Sequence, residues 1–129
     1  MLARGKAFRY PSGPAHDPNR KHFCVIAGIT PAGDVLLIPI CGAIPRGDRT
    51  CIIKTGDGWG WITKESMADY GNAKCSALKG LQLALDAKTI ELIDVPEQIF
   101  RRIINGIGQK DNLNGTIPDF FKEKWLKLK

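Results

Sequence analysis

Two clusters of polar residues in this chain have side chains that can do chemistry. Arg20, Lys21 and His22 stand directly ahead of one apolar run, and Cys41, Arg46 and Asp48 follow a second. Histidine has an intrinsic pKa near neutrality and can give or take a proton. Arginine and lysine hold phosphate, arginine through two parallel hydrogen bonds. Such a set suits metal-independent cleavage of an RNA phosphodiester. A base takes the proton from the 2′-hydroxyl, an acid protonates the departing 5′-oxygen, and a cation stabilises the charged phosphorane. Only RNA carries the required hydroxyl. The plainer reading makes His22 a structural residue at a strand start, and residue types alone leave both open.

Other chemistries are excluded by their missing motifs. There is no GxxxxGK[ST] phosphate cradle, no GxGxxG after a strand, no HExxH and no GxSxG elbow. With only His16 and His22, no histidine-based metal site is expected, and no cofactor is called for. Cys24, Cys41, Cys51 and Cys75 show no CxxC spacing, so neither a zinc site nor a disulfide framework is expected. Cys24 and Cys51 read as small buried hydrophobes inside apolar runs, whereas Cys41 falls at a strand end.

The elements that must position these groups centre on the stretch from Lys21 to Cys41. Two runs rich in Val, Ile and Leu, Phe23 to Ile29 and Val35 to Ile40, flank Thr30-Pro31-Ala32-Gly33-Asp34. That pattern predicts a β-hairpin with its polar groups at the open end. Neither run alternates cleanly between apolar and polar residues, so both faces of the pair should be covered. A brief strand is expected around Lys6 to Arg9, a Pro-rich loop over Tyr10 to Asn19, and a polar loop over Gly42 to Arg49. A strand over Thr50 to Lys54 and a glycine-rich turn over Thr55 to Gly60 follow. Trp59 and Trp61, two apart, are read as sharing a strand face, either packed over a barrel end or free to stack on bases.

Ser66 to Lys74 reads as a short extended or turn segment, Cys75 to Leu85 as a helix interrupted by Gly80, and Thr89 to Ile93 as a strand. The strongest helix signal runs from Asp94 to Ile107. Asp94 and Glu97 are spaced as a capping box, and Val95, Ile99, Ile103 and Ile107 recur at i+4. Arg101 and Arg102 lie opposite. Ile117 to Lys129 predicts a second helix, with Gln109 to Gly115 as loop. Strands first and helices last describe one domain over residues 1–129. It is mainly β, a small barrel with C-terminal helices from about residue 94.

The length of 129 residues supports one core, and 43% hydrophobic with 25% charged residues is ordinary for a soluble domain. No run approaches the ~18 apolar residues that span a bilayer, and the first ten residues lack a signal-peptide core. No membrane partner and a cytoplasmic location are therefore expected. The net charge of +6 is compatible with a polyanionic partner and equally with a solvated basic face.

Three local patterns give the chain a likeness to a known family. Arg20-Lys21-His22 leads into the strands FCVIAG and VLLIPI; DRTCIIKTGDG is followed by Ser66 and Tyr70; VPEQIFRRIINGIG closes the set. Together they span roughly Arg20 to Gly108. The sequence resembles the PemK/MazF-like toxin family, and a PemK-like subgroup in particular. The resemblance implies an SH3-like β-barrel and a messenger-RNA-cleaving endoribonuclease. It also implies a homodimer whose groove takes single-stranded RNA and a segment of an antitoxin protein. Under it, Lys21 and His22 take the place of the basic residue at the strand head. His22, Lys21, Arg46 and Asp48 are then the catalytic candidates, and Arg20, Cys41, Arg49 and Trp59 the substrate-binding ones. Cys41-Gly42-Ala43 departs from the family pattern, which carries threonine and serine there. A non-catalytic barrel that binds nucleic acid or a partner protein is the alternative.

Overall fold

Two strands joined by a tight turn are the centre of the fold. The computed structural model describes residues 1–11, 21–43, 47–108 and 117–128, with the backbone alone at Tyr10, Pro11, Lys21 and His22. Strand β1 (Lys6–Pro11) precedes the hairpin of β2 (Lys21–Ile29) and β3 (Asp34–Gly42). The hairpin turn closes through Gly33 N–H to the Thr30 carbonyl and Thr30 N–H to the Asp34 carbonyl, both 2.9 Å. Pro31 presets φ at the first turn position, and Gly33 takes a left-handed φ of 90° that a side chain resists.

Short strands and helices complete the chain: β4 (Ile52–Ile53), β5 (Ser66–Ala68), β6 (Lys74–Ala77), α1 (Leu78–Asp86), β7 (Leu92–Asp94), α2 (Glu97–Ile107) and α3 (Asp119–Lys127). The sheet runs β4-β5-β3-β2-β1-β7, and β6 pairs with the first half of β3. All described pairings are antiparallel, and the sheet curls into a half-barrel carrying three helices, an architecture compatible with a small β-barrel.

The expectation of two covered faces is met. Ala7, Val25, Leu36, Ile38 and Ile40 project to one core with Ile99, Ile103 and Ile107 of α2 and Phe121 and Trp125 of α3. Phe8, Cys24, Ile26, Val35 and Leu37 project to a second, against Leu78, Leu81 and Leu85 of α1. Successive residues on each strand serve different cores, which is the period-2 geometry applied to a sheet covered on both sides. Each fully buried isoleucine of α2 contributes about 1.5–3 kcal/mol of apolar burial. No helix among the described residues is long and apolar enough to cross a membrane.

Several sequence expectations need correction. The stretch from Cys75 begins as strand, because Leu36 and Leu37 of β3 offer unpaired backbone groups that Cys75 and Lys74 take up; the helix starts only at Leu78. The strand expected over Thr89 to Ile93 is β7, shifted to Leu92–Asp94. Thr89 instead donates through its amide and hydroxyl to the Ala84 carbonyl at the exit of α1. Asp94 is not a helix cap. It ends β7 in register with Lys6, which it meets as an ion pair, and Pro96 takes the position ahead of Glu97. Tyr10 and Pro11, read as loop, extend β1, while the rest of that expected loop and the loop at 109–115 lie outside the described residues.

The hairpin turn is also tied to α3. Lys124 Nζ lies 2.9 Å from Asp34 Oδ2, and the Thr30 hydroxyl donates to the same carboxylate at 3.2 Å. The Lys124 hydrogen bond holds the Asp34 carboxyl below its ordinary 3.8, and Asp34 raises Lys124 above its ordinary 10.5. A depressed carboxyl stabilises the fold above pH 3.8 and loses that effect as pH falls through its folded value. A raised ammonium stabilises below 10.5 and loses the effect as pH rises through its own. Asp34→Asn should therefore lower urea-unfolding stability between these limits, with the two pH–stability curves converging at both extremes. Parallel curves at all pH values would show that the pair contributes nothing.

Candidate functional site

Strand register decides what meets at the open end of the hairpin. Lys21 and His22 pair with Pro11 and Tyr10 on one side. Phe23 pairs with Ile40 on the other, which brings Cys41 and Gly42, the last residues of β3, to the same end. Gly42 in turn pairs with Ser66 of β5. The backbone of the sequence-derived candidates Lys21, His22 and Cys41 thus converges as expected. Arg20 and Arg46, the other two cations of that set, lie outside the described residues.

Beside this end sits an aromatic cluster. Phe23 meets Trp59 edge-on at 5.3 Å and Trp61 at 5.5 Å, and the two indoles stack at 6.4 Å and 12°. They do not share a strand face; both lie in the irregular segment between β4 and β5. Trp59 is only 4% exposed and belongs to the core, so packing, not an open stacking surface, is what the structure shows for it. Its Nε1 is buried without a hydrogen-bond partner among the described residues. Trp61 is half-buried, and the Arg9 guanidinium covers its ring at 4.1 Å from the centroid. Arg9 is the residue that pairs with Phe23, so β1 delivers this cation to the aromatic face.

The β3–β5 edge carries the polar groups. Cys41 Sγ lies 3.9 Å from Asp69 Oδ2, which also accepts from Asn72 Nδ2 at 2.7 Å. Gly42 lies beneath the end of Lys64: a Cβ built there would stand 2.8 Å from Lys64 Cε and 3.0 Å from its Nζ. Arg49 reaches Glu65 at 3.7 Å, a loose pair between exposed side chains that contributes ~0–1 kcal/mol. Asp48 shapes the loop that leads away from this edge. Its Oδ1 accepts from Thr50 N–H at 2.8 Å, the side-chain turn expected of aspartate, while Oδ2 is buried with no hydrogen-bond partner among the described residues.

The residues that carry the family likeness frame this edge. Asp57 accepts from the Lys54 amide at 2.9 Å and from Arg102 Nη1 at 3.0 Å. The amide first and then the guanidinium hold its carboxyl below the usual range. Arg102 also donates to the Ile52 carbonyl, and Gln98 to the Asp57 carbonyl. Arg102, placed opposite the apolar face of α2, is exposed as expected and also clamps the glycine-rich turn onto α2. Tyr70 is fully buried and donates to the Ile103 carbonyl at 2.7 Å. Burial pushes its phenol far above the ordinary range and raises the Cys51 thiol as well, so neither ionises near neutrality. Ser66 Oγ donates to the Lys64 carbonyl at 2.9 Å and Ala43 N–H to the Glu65 carbonyl at 3.0 Å, which ties the residue after Gly42 to the segment that carries Lys64.

Sequence reasoning missed Arg9 and Lys64. Arg9 had a usable signal, since it alternates with Phe8 on a strand whose next neighbour is the hairpin; Lys64 had none. Among the described residues no three of His, Cys, Asp and Glu come together as a metal site would require. Comparison with protein-family models, curated proteins and solved structures finds no match for this chain.

Proposed function

We propose that this protein is a toxin-like, metal-independent endoribonuclease of the PemK/MazF kind, acting on single-stranded RNA at the open end of the hairpin. The observation that carries the reading is the register that gathers Lys21, His22, Cys41 and Gly42 at one end of the sheet. Exposed cations at the same edge, Arg9, Lys64 and Arg49, give it the charge a phosphate backbone needs. The three motif segments supply the framework around it.

In this reading the 2′-oxygen attacks phosphorus and the bond to the 5′-oxygen breaks. The products are a 2′,3′-cyclic phosphate and a 5′-hydroxyl. His22 handles one of the two protons, while Lys21 and Arg46 stabilise the pentacoordinate phosphorane. Asp48 accepts from the Thr50 amide through Oδ1, so that oxygen is not free for proton transfer. A homodimer with a groove for RNA and for an antitoxin segment belongs to the same proposal.

A second reading has one specific observation in its favour. Cys41 points to Asp69 and Gly42 lies under Lys64, so this strand end offers no hydroxyl to a scissile phosphate. The same edge would then bind RNA without cutting it. An RNA oligonucleotide and its all-deoxy counterpart, incubated side by side with the protein, separate the two. Cleavage confined to the ribose strand supports the nuclease. Salt-sensitive binding of both strands with no cleavage supports the non-catalytic barrel, and absence of binding and cleavage removes both.

A further inference from the structure

We infer that Lys64 is a phosphate-contacting residue of the RNA site and that Gly42 exists at its position to let the Lys64 ammonium lie across the end of β3. The inference rests on the function proposed above and names a residue which neither the motifs nor the family likeness identifies. Gly42 does not need glycine for its backbone, since it is not among the glycines with positive φ. What its missing side chain permits is the approach of Lys64: a Cβ would come within 2.8 Å of Cε and 3.0 Å of Nζ. The lysine takes the space where a hydroxyl-bearing side chain would otherwise stand.

Lys64 is exposed and enters no ion pair among the described residues, whereas its neighbour Glu65 is engaged by Arg49. Its backbone is held by the Ser66 hydroxyl, and the adjoining strand by the Ala43–Glu65 hydrogen bond. An exposed ammonium that lies beside a strand end, next to the strand that carries Lys21 and His22, is suited to a backbone phosphate. As a compact cation with three rotatable donors, it accepts that ligand without demanding one orientation. It reads no base.

The test measures binding of a short fluorescent single-stranded RNA whose 2′-hydroxyls are methylated, so that it cannot be cut. Lys64→Met should weaken binding by about three- to tenfold, the range for the net contribution of one typical hydrogen bond. It should also reduce the slope of log affinity against log salt by about 0.7, the loss of one phosphate contact on a single strand. Gly42→Ala should leave thermal stability unchanged, because only the flexible end of Lys64 must move, yet weaken binding by the same factor. The double variant should be no weaker than either single one, and Lys64→Arg should retain the salt slope. Wild-type binding with unchanged affinity and slope in Lys64→Met would overturn the contact. Unchanged affinity in Gly42→Ala, or additive losses in the double variant, would overturn the placement. No salt-sensitive binding by the wild-type protein would remove the RNA site itself, and the inference with it.

Discussion

Replacing His22 by alanine is expected to lower RNA cleavage by at least ~100-fold, the lower bound for losing a general acid or base. Arg46→Ala should have an effect of the same order, about 10²–10³, because a cation aimed at the developing charge acts mainly in the transition state. Neither change should disturb the fold. His22 lies at the open end of the hairpin, where its backbone pairs with Tyr10. Single-turnover rates with saturating protein report the chemical step, and far-ultraviolet circular dichroism reports the fold. Cleavage at the wild-type rate in His22→Ala would remove that residue from the mechanism.

The second large effect concerns the framework. A Cβ on Gly106 would stand 2.0 Å from Tyr70 Oη and 2.7 Å from its Cζ, distances no real side chain tolerates. Tyr70 cannot withdraw, because it is fully buried and its hydroxyl is bound to the Ile103 carbonyl one turn earlier. Gly106→Ala should cost about 3 kcal/mol or more from overpacking. The better helix propensity of alanine returns only about 1 kcal/mol of that. Tyr70→Phe alone should cost about 1 kcal/mol through the lost hydrogen bond. Combined, the two should cost less than their sum, since the hydroxyl that collides with the new methyl is gone. Urea unfolding of the four proteins measures this. A Gly106→Ala protein as stable as wild type would show that α2 and the Tyr70 turn are not packed this closely.

That contact matters for the site as well as for stability. The same helix presents Arg102 to Asp57 and to the Ile52 carbonyl, and β4 leads back to the Asp48 loop. Loosening α2 therefore loosens the segment on which Arg49 and the aromatic cluster depend. Cleavage lost through Gly106→Ala should follow the unfolded fraction, unlike the loss through His22→Ala.

Local chemistry decided how much of this could be read in advance. The hairpin was legible because two β-branched runs flank a turn whose Pro31 and Gly33 each have a defined backbone task. The buried face of α2 was legible from its i+4 isoleucines. Its start was not, since Asp94 and Glu97 mimic a capping box while pairing with Lys6 draws Asp94 into the sheet. Cys75 becomes strand for an equally non-local reason, the open edge of β3 at Leu36. At the site, the convergence of Lys21, His22 and Cys41 followed from the hairpin itself. Trp59 could be packed or free on sequence grounds, and only the fold shows it 4% exposed beneath Phe23 and Trp61. The approach of Lys64 to the end of β3 was invisible because it depends on the side chain that Gly42 lacks.

The most direct test of the central claim is incubation of the purified protein with a long single-stranded RNA in EDTA, followed by mapping of the cut sites and their ends. Discrete cuts ending in 2′,3′-cyclic phosphate and 5′-hydroxyl are the predicted result, since attack by the 2′-oxygen leaves those groups and needs no metal. RNA that stays intact under these conditions, while the protein remains folded, would contradict it.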